Sequence, residues 1–144
     1  MDVGSGGGVP GIPLAHALPR REFVLLEANG RKCDFLRGVA PANVRVVQGR
    51  AEEQETDWAG CAVAKALAPP PVAAEWCLPL VRAGGSALLW VGPSADPSAV
   101  AVVAERLAAR LAESPPGFLV LRKLGPTPPG FPRRTGVARK RPLA

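Results

Sequence analysis

Residues 2–15 read Asp2-Val3-Gly4-Ser5-Gly6-Gly7-Gly8-Val9-Pro10-Gly11-Ile12-Pro13-Leu14-Ala15, and their reading decides the fold. An acid stands two positions before a Gly-x-Gly-x-Gly run, and a small-residue stretch of helical character follows at once. That order describes a chain that leaves a strand, turns tightly against a ligand and starts a helix. Glycines permit positive φ and let backbone approach a ligand with no Cβ between them. The free N–H groups and positive dipole end of the new helix then face whatever is bound. Pro10 and Pro13 suit a first helical turn, where a missing N–H costs little.

Three nucleotide-type readings compete for this loop. A P-loop ends in Gly-Lys-Ser/Thr, and the run contains no Lys, which removes that reading. A dinucleotide fingerprint can be laid on Gly6, Gly8 and Gly11 and would make an NAD(P)-binding Rossmann domain. The register acid-x-Gly-x-Gly-x-Gly from Asp2 to Gly8 fits better. It is the form taken by class I S-adenosylmethionine (SAM) methyltransferases, where the acid helps to hold the loop. A flexible glycine linker is the plain alternative. Such linkers are rarely followed by Ile-Pro-Leu-Ala and a regular α/β alternation.

The alternation runs the length of the chain. Residues 9–18 predict a short helix, and Phe23-Val24-Leu25-Leu26 a buried strand ending at Glu27. A helix is expected over 31–38, a strand over 44–47, and a loop at Gly49-Arg50-Ala51-Glu52-Glu53. Cys61-Ala62-Val63-Ala64 predicts a third buried strand, 72–81 a helix, Gly84-Gly85 a turn and 86–91 a strand. Val100, Val103, Leu107 and Leu111 predict a helix over 97–113. Phe118-Leu119-Val120-Leu121 predicts the last strand, and from Gly125 no regular structure is expected. The expected fold is therefore α/β, a doubly wound, mostly parallel sheet. Its first strand is largely missing, because only Met1-Asp2-Val3 precede the loop where about five residues are usual. An N-terminally truncated domain is the expectation. The division expected is a binding domain over 1–124 and a basic, Pro/Arg-rich tail over 125–144.

Composition narrows the class. At 144 residues and 47% hydrophobic content, one domain with a real core is expected. The chain has no Tyr, which argues against an aromatic-stacking RNA platform. The net charge is +6, and no acid follows Glu113, whereas Arg122, Lys123, Arg133, Arg134, Arg139, Lys140 and Arg141 crowd the end. A phosphate-rich partner accounts for such a tail, and so does a solvated tail that aids solubility. Cys33, Cys61 and Cys77 are scattered and His16 is the sole histidine, so no metal site is expected. Three unpaired thiols fit a reducing cytoplasm. No apolar run is long enough to predict a membrane span.

Three loops follow predicted strands and can converge on one crevice at the carboxyl ends of the sheet. One is the glycine loop. The second is Glu27, twenty-three positions after Gly4, placed to accept hydrogen bonds from ribose hydroxyls. The third carries Ala51-Glu52, where an adenine ring can meet a backbone N–H and a carboxylate. Lys65 ends another strand and can contact a phosphate or a ligand carboxylate, or simply snorkel from the strand end. No Asn/Asp-Pro-Pro-aromatic motif follows that strand, since Ala68-Pro69-Pro70-Pro71 lacks the polar head. No Pro-Cys nucleophile is present either. Amine methylation and cysteine-dependent C5 methylation are thus disfavoured. An acceptor that is already nucleophilic, such as a purine N7, needs positioning and desolvation rather than a catalytic base.

Beyond these features the chain resembles the RsmG (GidB) family of small-subunit (16S) rRNA guanine-N7 methyltransferases. The resemblance rests on the opening stretch from Asp2 to Ala15, on Gly30-Arg31-Lys32 to Phe35-Leu36, and on Gly49 to Glu53. It also rests on Glu75-Trp76-Cys77-Leu78-Pro79-Leu80 and on the tail from Pro126 through Pro132-Arg133-Arg134-Thr135-Gly136-Val137 to Pro142-Leu143. The resemblance implies a SAM-dependent enzyme acting on small-subunit rRNA or the ribosomal subunit; a monomer in the cytoplasm is the separate expectation. It implies SAM binding at Gly4, Val9, Glu27, Ala28, Asn29, Ala51, Glu52 and Lys65, with no residue beyond positioning needed for catalysis. It assigns Arg133 and Arg134 to an RNA-facing tail that Arg139 and Lys140 extend. Lys65 stands where the family usually has Arg, and Val91-Gly92 where it commonly has Lys-Gly. The family also has a helical N-terminal region and a full first strand. A catalytically inactive, RNA-binding member is therefore the alternative.

Overall fold

The computed structural model describes residues 1–144. Seven strands form one sheet in the order β3-β2-β1-β4-β5-β7-β6. They are β1 (Asp2–Val3), β2 (Phe23–Glu27), β3 (Val44–Gln48), β4 (Ala59–Lys65), β5 (Val81–Trp90), β6 (Ala109–Ala112) and β7 (Phe118–Lys123). The pairs from β3 across to β5 are parallel, and β7 runs antiparallel to both β5 and β6. Strands β1 to β3 are wound through α1 (Gly11–Ala17) and α2 (Gly30–Val39). Strands β4 to β6 are wound through α3 (Pro70–Cys77) and α4 (Pro97–Arg106). The two windings proceed in opposite directions from the centre, so right-handed crossovers put their helices on opposite faces.

The central strand is two residues long. Asp2 pairs with Leu25 on one side and with Val63 on the other, and Val3 pairs with Leu26. The sheet is thus closed at its carboxyl end, where the chain order reverses between β1 and β4. The core that supports this end is apolar and fully buried, with Val3, Leu26, Ala62, Ala64, Leu78, Leu80, Leu89, Val103, Leu107 and Leu121 in one cluster.

Four expectations are corrected, three of them within the sheet and its helices. The helix predicted over 97–113 ends at Arg106. Ala108 adopts a positive φ of 52°, and residues 109–112 form edge strand β6. Leu111 keeps an apolar neighbour there, because it pairs with Leu121 across the antiparallel ladder. Pairing with β7 thus overrides a helical spacing that locally looked sound. The helix predicted over 72–81 stops at Cys77, a 3-10 turn spans Leu78–Leu80, and Val81 already opens β5. Pro79 has no N–H to give to the Glu75 carbonyl, so the α-helix cannot continue. Gly84-Gly85 is not a turn between elements but an irregularity inside β5. The register jumps from Ala59 opposite Val81 to Cys61 opposite Ser86, with Gly84 at φ +82°.

The segment from Gly125 does contain structure. A four-residue helix, α5 (Val137–Lys140), follows Gly136, and Phe131 and Leu143 pack against the main core cluster. Asp57 receives the Thr127 backbone N–H at 3.0 Å and its hydroxyl at 2.9 Å, while the buried Lys123 ammonium lies 3.4 Å away. Lys123 also donates to the Leu78 carbonyl at 2.8 Å. Residues 125–144 therefore form a strap laid over the body of the protein.

Candidate functional site

A crevice of about 470 Å³ opens at the carboxyl ends of β1, β2 and β4, beside the point where the strand order reverses. Parallel sheets present ligand sites at this position because loops and helix N-termini converge there. It is lined by Val3 and Leu26, the glycine loop, the turn at Gly49–Glu52, the residues after β4 and Trp76.

The glycine loop is braced from below. Gly4, Gly6 and Gly8 all have positive φ, at 71°, 56° and 92°. Gly4 and Ser5 donate backbone N–H groups to the Leu26 carbonyl at 2.8 and 3.0 Å, which pins the loop to β2. The Asp2 carboxylate, 1% exposed, accepts the Gly11 N–H at 2.9 Å and so ties the start of α1 to β1. Burial pushes the Asp2 carboxyl above the usual range, and the Gly11 bond only partly offsets it. Asp2 does not line the crevice; its role is to hold the loop and helix in register.

Glu27 occupies the centre of the site at the end of β2. Its carboxylate is buried, one oxygen accepting the Gly6 N–H at 2.9 Å and the other the Asn29 N–H at 2.8 Å. Each carboxylate oxygen has two acceptor positions. One position on each is therefore filled by the protein and one remains for the crevice. The arrangement suits a ligand with two adjacent hydroxyl donors.

Seven of the eight expected SAM-site residues line this one cavity: Gly4, Val9, Glu27, Ala28, Ala51, Glu52 and Lys65. Asn29 does not line it. Its side chain accepts the Lys32 N–H at 3.2 Å and caps α2, while its backbone braces Glu27. Ala51 is buried under the 3-10 turn Ala51–Glu53, and Glu52 beside it is half-buried. Ser5, Gly6 and Gly7 of the glycine loop and Arg50 of the loop before Glu52 line the crevice too, and so do Lys32, Ala66, Leu67 and Trp76, which were not singled out from the sequence as site residues. Lys32, Arg50 and Trp76 lie within quoted stretches of family resemblance, but no local pattern marked them individually. Lys32, Arg50 and Lys65 are exposed, and give the mouth of the crevice a positive rim.

No thiol serves the site. Cys77 is fully buried, its thiol pushed up to about 12 by that burial. Cys33 donates to the Glu27 carbonyl at 3.2 Å beneath α2. No group of three or more His, Cys, Asp or Glu could hold a metal ion, and no helix is long and apolar enough to cross a membrane.

The four expected RNA contacts separate into two kinds. Arg134, Arg139 and Lys140 are exposed. Arg133 faces inward, with Nε and Nη2 both on the Glu75 carboxylate at 2.5 Å; Glu75 is 3% exposed. A buried carboxylate is tolerated only when paired in this way, so the guanidinium is committed to the interior.

Comparison with known proteins agrees with this architecture. Residues 1–109 match the family described as GidB, rRNA small subunit methyltransferase G. The chain is similar to ribosomal RNA small subunit methyltransferase G of Rubrobacter xylanophilus, 39% identical over 166 aligned positions that cover 99% of this chain and 64% of that protein. It is 35% identical to the same-named protein of Synechococcus elongatus, covering 99% of this chain and 68% of the relative. The chain thus spans about two thirds of the length of the curated relatives it matches. Among solved structures, a TehB-like SAM-dependent methyltransferase from Corynebacterium glutamicum superposes with a TM-score of 0.64 at 21% identity, covering 85% of this chain and 78% of that one.

Proposed function

Because the chain belongs to the GidB family of rRNA small subunit methyltransferase G proteins, we propose that its crevice binds SAM and that it transfers the methyl group to N7 of a guanine in small-subunit rRNA. The observation that carries the reading is Glu27. It is a buried carboxylate with one acceptor position per oxygen facing a cavity of about 470 Å³ beside a glycine loop. A nucleoside offers two vicinal ribose hydroxyls to such a group, and the cavity volume lies in the range of small-ligand sites.

Bound SAM would supply an electrophilic methyl on a sulfonium. The chain's part is to hold the ligand and to guide the base. Glu27 receives the ribose. The backbone around Ala51 and the Glu52 carboxylate lie along the wall for the adenine. Gly4 and the glycine loop let the methionine end approach without a Cβ. Lys65, at the end of β4, can meet the ligand carboxylate or an RNA phosphate. Guanine N7 has its own in-plane lone pair and carries no proton. Attack therefore requires alignment and exclusion of water, not proton removal by the protein. Outside the crevice, Arg134, Arg139 and Lys140 and the rim cations Lys32 and Arg50 suit phosphates of an RNA loop. The chain works on the rRNA or the subunit as a monomer in the cytoplasm.

The test is transfer of labelled methyl from SAM by the 144-residue chain to small-subunit rRNA lacking N7-methylguanine, followed by mass mapping. Label appearing at a guanine N7 is expected. Salt-sensitive RNA binding with no SAM affinity and no label in RNA would favour the alternative, a catalytically inactive RNA-binding protein.

A further inference from the structure

The strap meets the body at four successive points, two of them on residues that line the crevice. Arg133 holds Glu75 through two nitrogens. Thr135 donates its hydroxyl to Glu53 at 3.1 Å. Gly136 donates its backbone N–H to Glu52 Oε1 at 3.1 Å. The Arg139 guanidinium lies 5.9 Å from the centre of the Trp76 ring. Glu52 and Trp76 both line the crevice, so the same two side chains face the ligand space on one side and the strap on the other.

Glu52 is the more informative of the two. Gly136 occupies one carboxylate oxygen and leaves Oε2 with no protein donor. An unrestrained Glu samples several rotamers, and fixing it by a second partner reduces the entropy lost when a ligand donor arrives. Gly136 adopts φ +81°, which glycine accommodates without strain, and turns the chain from this hydrogen bond into α5. Arg133, three residues earlier, is the strap's charged anchor. Its partner Glu75 is buried on α3, one residue from Trp76. Detaching the guanidinium would strand that carboxylate, so anchor and wall hold each other.

Building on the SAM reading of the crevice, we infer that Arg133 is a positioning residue for the ligand: by anchoring the strap on Glu75 it brings the Gly136 N–H to Glu52 and presets the carboxylate that meets the adenine end. Strap docking and ligand binding are then one coupled equilibrium, and each strengthens the other by the same factor.

The test uses the full chain and S-adenosylhomocysteine, the demethylated product of SAM, in a double-mutant cycle read by calorimetry. Arg133→Ala is expected to weaken binding about tenfold, within the usual span of site-to-site coupling. Glu52→Ala is also expected to weaken it, and Arg133→Ala added to Glu52→Ala should weaken it no further. Losses that multiply would overturn the inference, because a strap acting only on general stability would not depend on Glu52. Should Arg133→Ala fail to fold, exchange of the Gly136 amide in the unmodified chain decides instead. Slower exchange at saturating S-adenosylhomocysteine supports the coupling, and unchanged exchange rejects it. A wild-type chain that binds no S-adenosylhomocysteine at all would overturn the SAM reading itself, and this inference with it.

Discussion

Single atoms decide whether the glycine loop can exist. A Cβ at Gly11 would lie 2.2 Å from Leu25 Cδ2 and 2.7 Å from Asp2 Oδ2, so Gly11→Ala must displace the buried Leu25 side chain and the Asp2 carboxylate. Overpacking of this kind costs about 1–3 kcal/mol, which urea unfolding will measure. Asp2 separates charge from hydrogen bonding. Asp2→Asn keeps an acceptor for the Gly11 N–H and removes a buried charge, whereas Asp2→Ala leaves the donor unpaired at about 1–3 kcal/mol. The sign of the pH effect follows from the raised carboxyl. A folded-state value above the unfolded one favours the protonated form, so stability from this group is present at low pH. It declines as pH rises through the unfolded value of about 3.9 toward the folded one. Wild type is therefore expected to lose ground to Asp2→Asn as pH rises above about 3.9 in parallel unfolding curves. Wild type gaining on Asp2→Asn over that window would contradict the assignment.

At the scale of elements, the strap is secured by Asp57, Thr127 and Lys123. Partial burial pushes the Asp57 carboxyl up, but the two Thr127 hydrogen bonds and the Lys123 ammonium outweigh it and leave it below the ordinary range. A lowered folded-state value means stability present above about 3.9 and lost as pH falls through the folded value. Asp57→Asn is expected to flatten the acid limb of unfolding below about pH 4. Lys123→Met removes donors to Leu78 and Thr127 and is expected to cost about 2–3 kcal/mol. The parallel strands and the crevice were legible because their signals are local: compact apolar runs, an acid after a strand, glycines where φ is positive. The strap was not legible. Lys123 reads in sequence as one more basic residue before a basic tail, and its burial depends on Asp57, far away along the chain. Strand β6 was hidden for a similar reason, since Leu111 satisfies a helical spacing and a sheet register equally. Arg133 shows the same limit within the candidate site. An Arg-Arg pair in a basic tail reads as outward-facing, and only the buried Glu75 turns one of the two inward.

For the whole molecule, the sheet brings the glycine loop, Glu27 and the Ala51–Glu53 turn together, and the strap contacts Glu52, Glu53 and Trp76 beside them. Lys32, Arg50 and Lys65 on the body are exposed and line the crevice, and Arg134, Arg139 and Lys140 on the strap are exposed as well. Replacing Arg134 and Lys140, the two strap cations that make no contact with the crevice wall, with Ala is expected to weaken RNA binding and to flatten its dependence on log salt by about 2, read by filter binding at several salt concentrations. Arg133→Ala should change ligand affinity instead. The most direct measurement is calorimetric titration of wild-type and Glu27→Ala chains with S-adenosylhomocysteine. One-to-one binding by wild type and a loss of at least about tenfold in Glu27→Ala, the scale of one charge-assisted hydrogen bond, are expected. No binding by wild type, or equal affinity in the two chains, would contradict a SAM crevice centred on Glu27.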